Sequence, residues 1–384
     1  MLTSLDESFL HQSPVTFDQT HLSDHRFFDR MWLGGCNAEG VRLMMGMAAY
    51  KNTNTFDGYV VALKDGKQFN LRASRPFLPR VDEKSVGPIA VEIVKPLQEL
   101  RVIVGQNSGP IRADIVFTGT VPAREEAQHL RRVDGRLVLD YRRFDQIGKL
   151  NGWFELAGER VEVSNWFGAR DHSWGIRAGM GGYEPPTSTP RPGEDGSDIS
   201  AGMKGFLVVW LAFEAGKYAG YLQQLEDGSG NVSYTDGHIL IREGPARRER
   251  KVSHIDHLLS FVPGTRSGTG GALKVTLDDG EVLKLELKTH LPPAVYKGGG
   301  YDSGFFDERG LGLHRGIIEE HDVYDVSHAE DVVLEDGRVI RPWHREATCT
   351  LTVNGESGLG HFPIISTGEI KRYGLTGAIV NAKS

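Results

Sequence analysis

The fold class is indicated most clearly by the stretch 56–73, which reads FDGYVVALKDGKQFNLRA. Its first part is a run of aromatic and β-branched residues, and its last part alternates polar with apolar side chains. Asp65-Gly66 lies between them, and an Asp-Gly pair is the residue combination that a tight hairpin turn favours. The stretch therefore predicts two antiparallel strands joined by a two-residue turn.

The same pattern recurs on both sides of this hairpin. Further turn pairs are Asp279-Gly280 and Asp336-Gly337. The chain contains 48 glycines, spread along its whole length, well above the usual share of about 7%. Dispersed glycine supplies many tight turns, and no long amphipathic helix is evident. We expect an all-β protein, built as a sandwich or barrel. Other strand-like runs are 40–47, 89–94, 100–104, 113–117, 158–163, 206–213, 218–223, 238–241, 273–277, 282–287 and 316–325.

One segment interrupts the strand pattern. Residues 185–197 are rich in Pro, Gly and Ser and almost free of apolar side chains, a composition typical of a loop or linker. With 384 residues, the chain exceeds what one hydrophobic core usually supports. We predict an N-terminal β-domain over 1–182 with a short N-terminal arm, a linker over 183–200, and a C-terminal β-domain over 201–384.

The bulk composition argues against several classes of protein. The net charge is −7 and the pI is about 6.1, which does not suit a nucleic-acid partner. Two distant cysteines, Cys36 and Cys349, give neither a disulfide framework nor a zinc motif. The N-terminus lacks a signal-peptide layout, and the longest apolar run, 206–213, is far shorter than a membrane helix. We therefore expect cytoplasmic localisation and no membrane insertion.

The densest group of reactive side chains is Arg170-Asp171-His172-Ser173-Trp174-Gly175-Ile176-Arg177. In an extended strand Arg170, His172 and Trp174 face one way, whereas Asp171 and Arg177 face the other. One interpretation places Asp171 or His172 in a barrel cavity as a general acid or base. The alternative is structural, with Asp171 paired to an arginine and Trp174 closing the barrel.

The second half holds a glycine-rich segment and scattered histidines. Residues 298–304, GGGYDSG, lack the lysine and helix of a phosphate loop, and they could instead present Tyr301 or Asp302 to a cavity as a lid. His314 and His321 lie seven apart, a spacing that alternates faces on a strand and suits a metal poorly. No nucleotide motif is present. We expect no cofactor and no metal site.

The motif at 170–175, RDHSWG, resembles the AttH-like family, which includes hydroxyneurosporene synthases (carotenoid 1,2-hydratases) and is distantly similar to tocopherol cyclases. The stretches 32–35, 59–76 and 112–115 are similar to an uncharacterised bacterial branch of that group. This resemblance implies two lipocalin-like antiparallel β-barrels side by side, apolar substrates, and chemistry without a redox cofactor. It also implies that Asp171 and Trp174 lie at the substrate pocket.

The combined prediction is a lyase (a hydro-lyase or carbon–carbon lyase) or an isomerase that acts by general acid/base catalysis without a cofactor. Its substrate would be a hydrophobic small molecule, either aromatic, such as a lignin-derived compound, or isoprenoid. Assembly as a homodimer is left open. The alternatives are a non-catalytic carrier of a hydrophobic ligand and a metal-dependent enzyme with His and Asp ligands. The candidate catalytic residues are Asp171, His172, Tyr301 and His321, and the candidate substrate-binding residues are Trp166, Arg170, Trp174, Arg177 and His314.

Overall fold

The computed structural model describes residues 1–7, 11–133, 135–181, 205–244 and 246–376. These residues form 26 β-strands and short 3₁₀ turns, and no α-helix occurs among them. The all-β prediction is confirmed. The predicted linker at 183–200 lies outside the described residues, and the division of the chain into two domains stays a prediction. No helix in the described part is long and apolar enough to cross a membrane.

The first sheet has 15 strands and combines both halves of the sequence. Its main path runs in the order β22-β21-β20-β4-β3-β2-β1-β12-β11-β8-β7-β6-β5, with β9 and β10 paired to β11. The three strands β20 to β22 come from the second half of the chain. The members are β1 (Phe27–Cys36), β2 (Arg42–Tyr50), β3 (Thr55–Lys64), β4 (Lys67–Pro76), β5 (Ser85–Val86), β6 (Ile89–Lys95), β7 (Glu99–Val104), β8 (Ile111–Gly119), β9 (Arg124–Glu125), β10 (His129–Val133), β11 (Arg136–Leu156), β12 (Glu159–Arg177), β20 (Ile318–Asp325), β21 (Val332–Val333) and β22 (Val339–Ile340).

The second sheet has nine strands, and eight of them close into an antiparallel barrel because β13 pairs with both β14 and β25. One of the two predicted barrels is thus present, while closure of the first sheet into a barrel stays a prediction. The members are β13 (Gly205–Ala215), β14 (Tyr218–Asp227), β15 (Val232–Glu243), β16 (Ala246–Phe261), β17 (Gly268–Leu277), β18 (Val282–Thr289), β24 (Thr348–Val353), β25 (Glu356–His361) and β26 (Ile364–Gly368). Two short strands, β19 (Ala294–Val295) and β23 (Arg345–Glu346), pair with each other.

The hairpin that indicated the fold class forms as predicted. β3 ends at Lys64 and β4 begins at Lys67, and these two residues are paired. Asp65 and Gly66 have φ of 52° and 74°, and a two-residue hairpin turn with positive φ at both positions is the type that matches strand twist. Leu71 and Ala73 are then buried on one face of the sheet.

The strand β13 faces a different environment on each of its sides. Its odd-numbered residues, such as Leu207 and Val209, belong to the apolar core inside the barrel. Its even-numbered residues, such as Phe206 and Trp210, belong to a core that lies between the barrel and the first sheet. Side chains alternate along a strand, so this one strand contributes to both. The barrel interior is occupied by side chains, and the cavity described below lies between the sheets instead of inside the barrel.

Candidate functional site

A cavity lies between the first sheet and the outer surface of the barrel. Its volume is about 120 Å³, whereas a cavity volume of about 10–15 Å³ is enough to hold one water molecule. A small organic molecule therefore fits. The lining residues come from β1, β11 and β12 on one side and from β13, β14 and the segments around 296–301, 343–346 and 361–365 on the other.

Three adjacent strands of the first sheet form one wall. On β12, Asp171 lies opposite Trp32 of β1 and Asp145 of β11. Two residues along, Arg30 and Arg143 both lie opposite Ser173. Residues that are directly opposite in antiparallel strands share a face, and the register is continuous at these positions. Asp171 is therefore flanked diagonally by an arginine on each neighbouring strand.

The carboxyl group of Asp171 is held without a strong partner. Its Oδ1 is buried and makes no hydrogen bond among the described residues, and no ion pair to it is present there either. Burial raises the pKa of Asp171, while the charges of Arg143 and Arg30 offset part of that effect. A desolvated carboxyl that faces a cavity is suited to hold a proton and release it to a bound molecule.

A second polar group lies on the other side of the cavity. His361 Nε2 is 2.5 Å from Glu346 Oε2, and His344 Nε2 is 3.4 Å from Glu346 Oε1. Burial opposes ionisation of Glu346, but the adjacent His361 and His344 outweigh it and lower the pKa of Glu346. The remaining ring nitrogen of His361, Nδ1, is buried without a partner among the described residues. This imidazole–carboxylate pair is suited to accept a proton.

Aromatic rings separate the two polar groups. Trp32 lies with its ring centroid 4.7 Å from that of His361 and 6.2 Å from that of Trp210. On a neighbouring side, Tyr296 and Tyr301 pack edge to face at 5.0 Å, and Trp343 stacks on His344 at 5.2 Å. Aromatic faces carry partial negative charge and attract cations. The cavity walls can therefore bind a planar apolar molecule and stabilise positive charge that develops on it.

A further polar cluster lies beyond this wall. Arg143 Nη1 is 3.5 Å from Glu126 Oε1, and His129 Nε2 is 2.6 Å from Glu126 Oε2. The ring of His129 stacks between Tyr141, at 4.4 Å, and Tyr234, at 4.3 Å. Arg143 therefore forms an ion pair with a described carboxylate, so part of its charge is neutralised.

The structure brings together three of the nine predicted site residues. Asp171, Arg177 and Tyr301 line the cavity, although Tyr301 comes from a segment more than 100 positions away in sequence. The Tyr301 hydroxyl accepts a hydrogen bond from Arg30 Nη1. These contacts agree with a shared site, and the catalytic roles assigned to these residues stay predictions.

The neighbours of Asp171 in the motif lie on the opposite face of β12, as the alternation indicated. His172 Nε2 is 2.7 Å from Asp29 Oδ1, and Trp174 is 38% exposed. Arg170 is buried and its Nε donates a hydrogen bond to Gln146 Oε1 at 2.8 Å. Trp166 packs edge to face on Phe154 in the first-sheet core. None of the four predicted residues on this face lines the cavity.

The last two predicted residues are also outside the cavity. His314 is exposed, and its Nδ1 lies 3.0 Å from the carbonyl oxygen of Asn54. His321 is on β20 opposite Leu71 and packs beside Gly109. His314 precedes β20 and His321 lies within it, so the two histidines do not share one strand. Within the described ranges, no three His, Cys, Asp or Glu side chains are placed to hold a metal ion.

Sequence reasoning missed most of the cavity. Arg30 and Arg143 become neighbours of Asp171 only through strand pairing, which the sequence alone does not specify. A local signal did exist in Trp343-His344-Arg345-Glu346, a run as dense in reactive side chains as the motif at 170–175. The missed lining residues that the site chemistry uses are Arg30, Trp32, Arg143, Trp210, Trp343, His344, Glu346 and His361.

Two solved structures are similar to this chain at low identity. One is a candidate AttH protein from Nitrosomonas europaea, with a TM-score of 0.49, 10% identity, and coverage of 88% of this chain and 92% of that one. The other is kievitone hydratase from Nectria haematococca, with a TM-score of 0.47, 10% identity, and coverage of 91% and 93%. No curated protein matches the chain. A family model described as a family of unknown function (DUF8625) matches residues 2–376, and the chain belongs to that family.

Proposed function

We propose that this protein is a lyase, hydratase or isomerase that uses general acid/base catalysis on a small unsaturated, aromatic or isoprenoid molecule. The observation that carries the proposal is Asp171, a partly buried carboxyl that lines a cavity, with a raised pKa and with its buried Oδ1 unpartnered among the described residues. Perturbed titratable groups in clefts are frequent in catalytic sites. The aromatic walls and the size of the cavity favour a planar apolar substrate.

Hydration illustrates how two such groups would act. Asp171 transfers its proton to one carbon of a double bond, and the positive charge that develops on the other carbon is stabilised by the faces of Trp32 and Trp210. His361, held by Glu346, removes a proton from a water molecule as its oxygen forms a bond to that carbon. Elimination of water follows the reverse path, with the roles of acid and base exchanged. Isomerisation needs the same proton addition, followed by proton removal from a neighbouring carbon.

The first prediction concerns the acid. Asp171→Asn should lower turnover by roughly 100-fold or more, since general acid catalysis contributes about 10²- to 10⁴-fold, and should leave ligand binding intact. Turnover is measured by mass spectrometry after incubation with unsaturated aromatic and isoprenoid compounds in D₂O, where hydration or isomerisation changes the mass of the compound. Asp140→Asn, on the adjacent strand β11, is the matched control.

Two outcomes would count against catalysis by this site. If Asp171→Asn turns over substrate at the wild-type rate, Asp171 is not the acid. If compounds bind tightly but none is converted by the wild-type protein, the site belongs to a carrier of hydrophobic ligands, which is the alternative that the aromatic walls also suit.

A further inference from the structure

Two arginines that line the cavity, Arg30 and Arg177, form no ion pair with a carboxylate in the described part of the chain. Arg177 has no hydrogen bond or ion pair from its side chain to any residue that the structure describes. Arg30 donates to the hydroxyl of Tyr301, with its guanidinium 5.3 Å from the Tyr301 ring centroid, and makes no ion pair with a described residue. Arg143, by contrast, has Glu126 at 3.5 Å. Arg30 and Arg177 therefore bring to the cavity positive charge that no ion pair with a described residue offsets.

The acidic groups of the cavity do not neutralise this charge. Asp171 forms no ion pair with a described residue, and burial raises the pKa of its carboxyl group. Glu346 is held by His361 and His344 on the other side of the cavity. Burying an unpaired charge is costly, and burial lowers the pKa of Arg177, but a guanidinium remains protonated at neutral pH. Such an arrangement is relieved when an anion binds.

The aromatic residues that line the rest of the cavity favour an anion that carries a single charge. A guanidinium matches a carboxylate, which it can bind through two parallel hydrogen bonds. Beyond the arginines the lining is aromatic, with Trp32, Trp210 and Tyr296 around a space of small-molecule size. A polyanion such as a nucleotide would place further charge against these rings. An aromatic ring or short conjugated chain that bears one carboxylate fits both parts of the cavity.

We propose that the ligand of this cavity is a small aromatic or conjugated carboxylate, with its carboxylate bound by Arg177 and Arg30 and its apolar part held between the aromatic walls. This inference rests on the proposed function in taking this cavity as the functional site. It does not depend on any reaction taking place there. In the bound state the carboxylate is anchored at the arginines, which leaves the unsaturated part of the molecule facing Asp171 and the His361–Glu346 pair. The arginines would thus set the orientation of the substrate.

The second prediction tests charge recognition directly. Benzoate, trans-cinnamate and 2-naphthoate, each beside its neutral primary amide, are titrated into the protein by calorimetry and by quenching of tryptophan fluorescence. At least one acid should bind about 10- to 100-fold more tightly than its amide, because a hydrogen bond to a charged group is worth that much in affinity. Arg177→Gln should remove most of that difference and leave amide affinity unchanged, whereas Arg177→Lys should retain part of it.

The controls separate this inference from the proposed function. Arg142→Gln, an exposed arginine on β11 that pairs with Glu125, should bind the acids like wild type. Asp171→Asn should keep the preference for acid over amide, whether or not any of the acids is turned over. Equal binding of acids and amides, binding of none of the three acids, or full acid affinity in Arg177→Gln with wild-type thermal stability would each overturn the carboxylate assignment. Absence of turnover with selective acid binding would overturn only the catalytic proposal.

Discussion

Asp57 is a carboxyl group inside the first sheet, on β3, and it is 1% exposed. The backbone N–H of Gly312 donates a hydrogen bond to its Oδ2 at 2.7 Å, whereas Oδ1 has no partner in the described part of the chain. Burial raises the pKa of Asp57 from 3.8 to about 6, although the hydrogen bond from Gly312 and the charge of Arg315 act in the opposite direction. At pH values between 3.8 and about 6, the carboxyl group of Asp57 is therefore protonated in the folded protein and ionised in the unfolded chain.

The third prediction follows from this difference. The contribution of Asp57 to stability should fall as the pH rises from about 4 to about 6 and then level off, because over that range only the folded protein keeps the Asp57 proton. The change corresponds to about 3 kcal/mol. Asp57→Asn should remove this slope and increase the free energy of unfolding at pH 7, as measured by urea denaturation across pH. Asp65→Asn, in an exposed turn, is the control, and an unchanged slope in Asp57→Asn would refute the assignment.

For single residues, the sequence indicates which face of a strand a side chain occupies, but it does not indicate which residues of other strands contact it. Alternation along a strand correctly separated Asp171 and Arg177 from His172 and Trp174. The same alternation could not show that Arg30 lies diagonal to Asp171, since that depends on which strands pair and in what register. The burial of a side-chain atom could not be predicted from the sequence either. Whether Asp171 Oδ1 is buried without a hydrogen bond depends on residues distant in sequence.

Among the elements, the position of β20 is one that the sequence did not indicate. It follows the barrel strands in the chain but pairs with β4 in the first sheet. Arg72 on β4 is fully buried, and its two terminal nitrogens lie 3.1 Å from the two carboxylate oxygens of Asp322 on β20. Asn70 donates to the same carboxylate at 2.9 Å. This ion pair joins elements about 250 positions apart and fixes their register.

The fourth prediction concerns that ion pair. Asp322→Ala should lower the free energy of unfolding by about 3–5 kcal/mol, because it leaves the charge of Arg72 buried without its main partner. Glu320, 3.6 Å from Arg72 Nε, retains a fraction of the interaction. Denaturant unfolding measures the change, with Asp325→Ala at the exposed end of the same strand as the control. Equal stability of the two variants would show that Asp322 does not hold β20 in place.

Local elements were otherwise predictable. The hairpin of β3 and β4, the Asp279-Gly280 turn before β18 and the Asp336-Gly337 turn between β21 and β22 all lie where turn residues indicated them. A turn is determined by the preferences of about four consecutive residues, so it can be predicted from the local sequence. Pairing of β20 with β4 is set by long-range contacts, and no local pattern in 318–325 distinguishes it from a barrel strand.

For the molecule as a whole, the position of the cavity is the main departure from expectation. We expected a ligand inside a barrel, because barrels of about eight strands enclose one small ligand. The barrel here is filled by apolar side chains such as Leu211 and Val275, and the open space lies where the barrel packs against the first sheet. Both sheets supply chemistry to this space, Asp171 from one and His361 from the other.

The fifth prediction uses the two sides of β13. Leu207→Ala leaves a cavity in the apolar interior of the barrel and should lower the free energy of unfolding by about 2–5 kcal/mol. Val208→Phe points into the cavity and should cost less than about 1 kcal/mol, because it occupies open space, while it abolishes binding of arenecarboxylates. Thermal unfolding and ligand titration of both variants give the comparison. If Val208→Phe binds ligand normally, the occupied space lies elsewhere.

The alternation along β13 also bears on how this protein can change over evolutionary time. Positions 206, 208 and 210 shape what the cavity accepts, whereas 207, 209 and 211 keep the barrel folded. Substitutions at the even positions leave the apolar interior of the barrel unchanged, so ligand preference can change separately from the packing that closes the barrel. A library that replaces Phe206, Val208 and Trp210 only with other apolar side chains would sample that separation directly, and its folded members should differ in ligand preference.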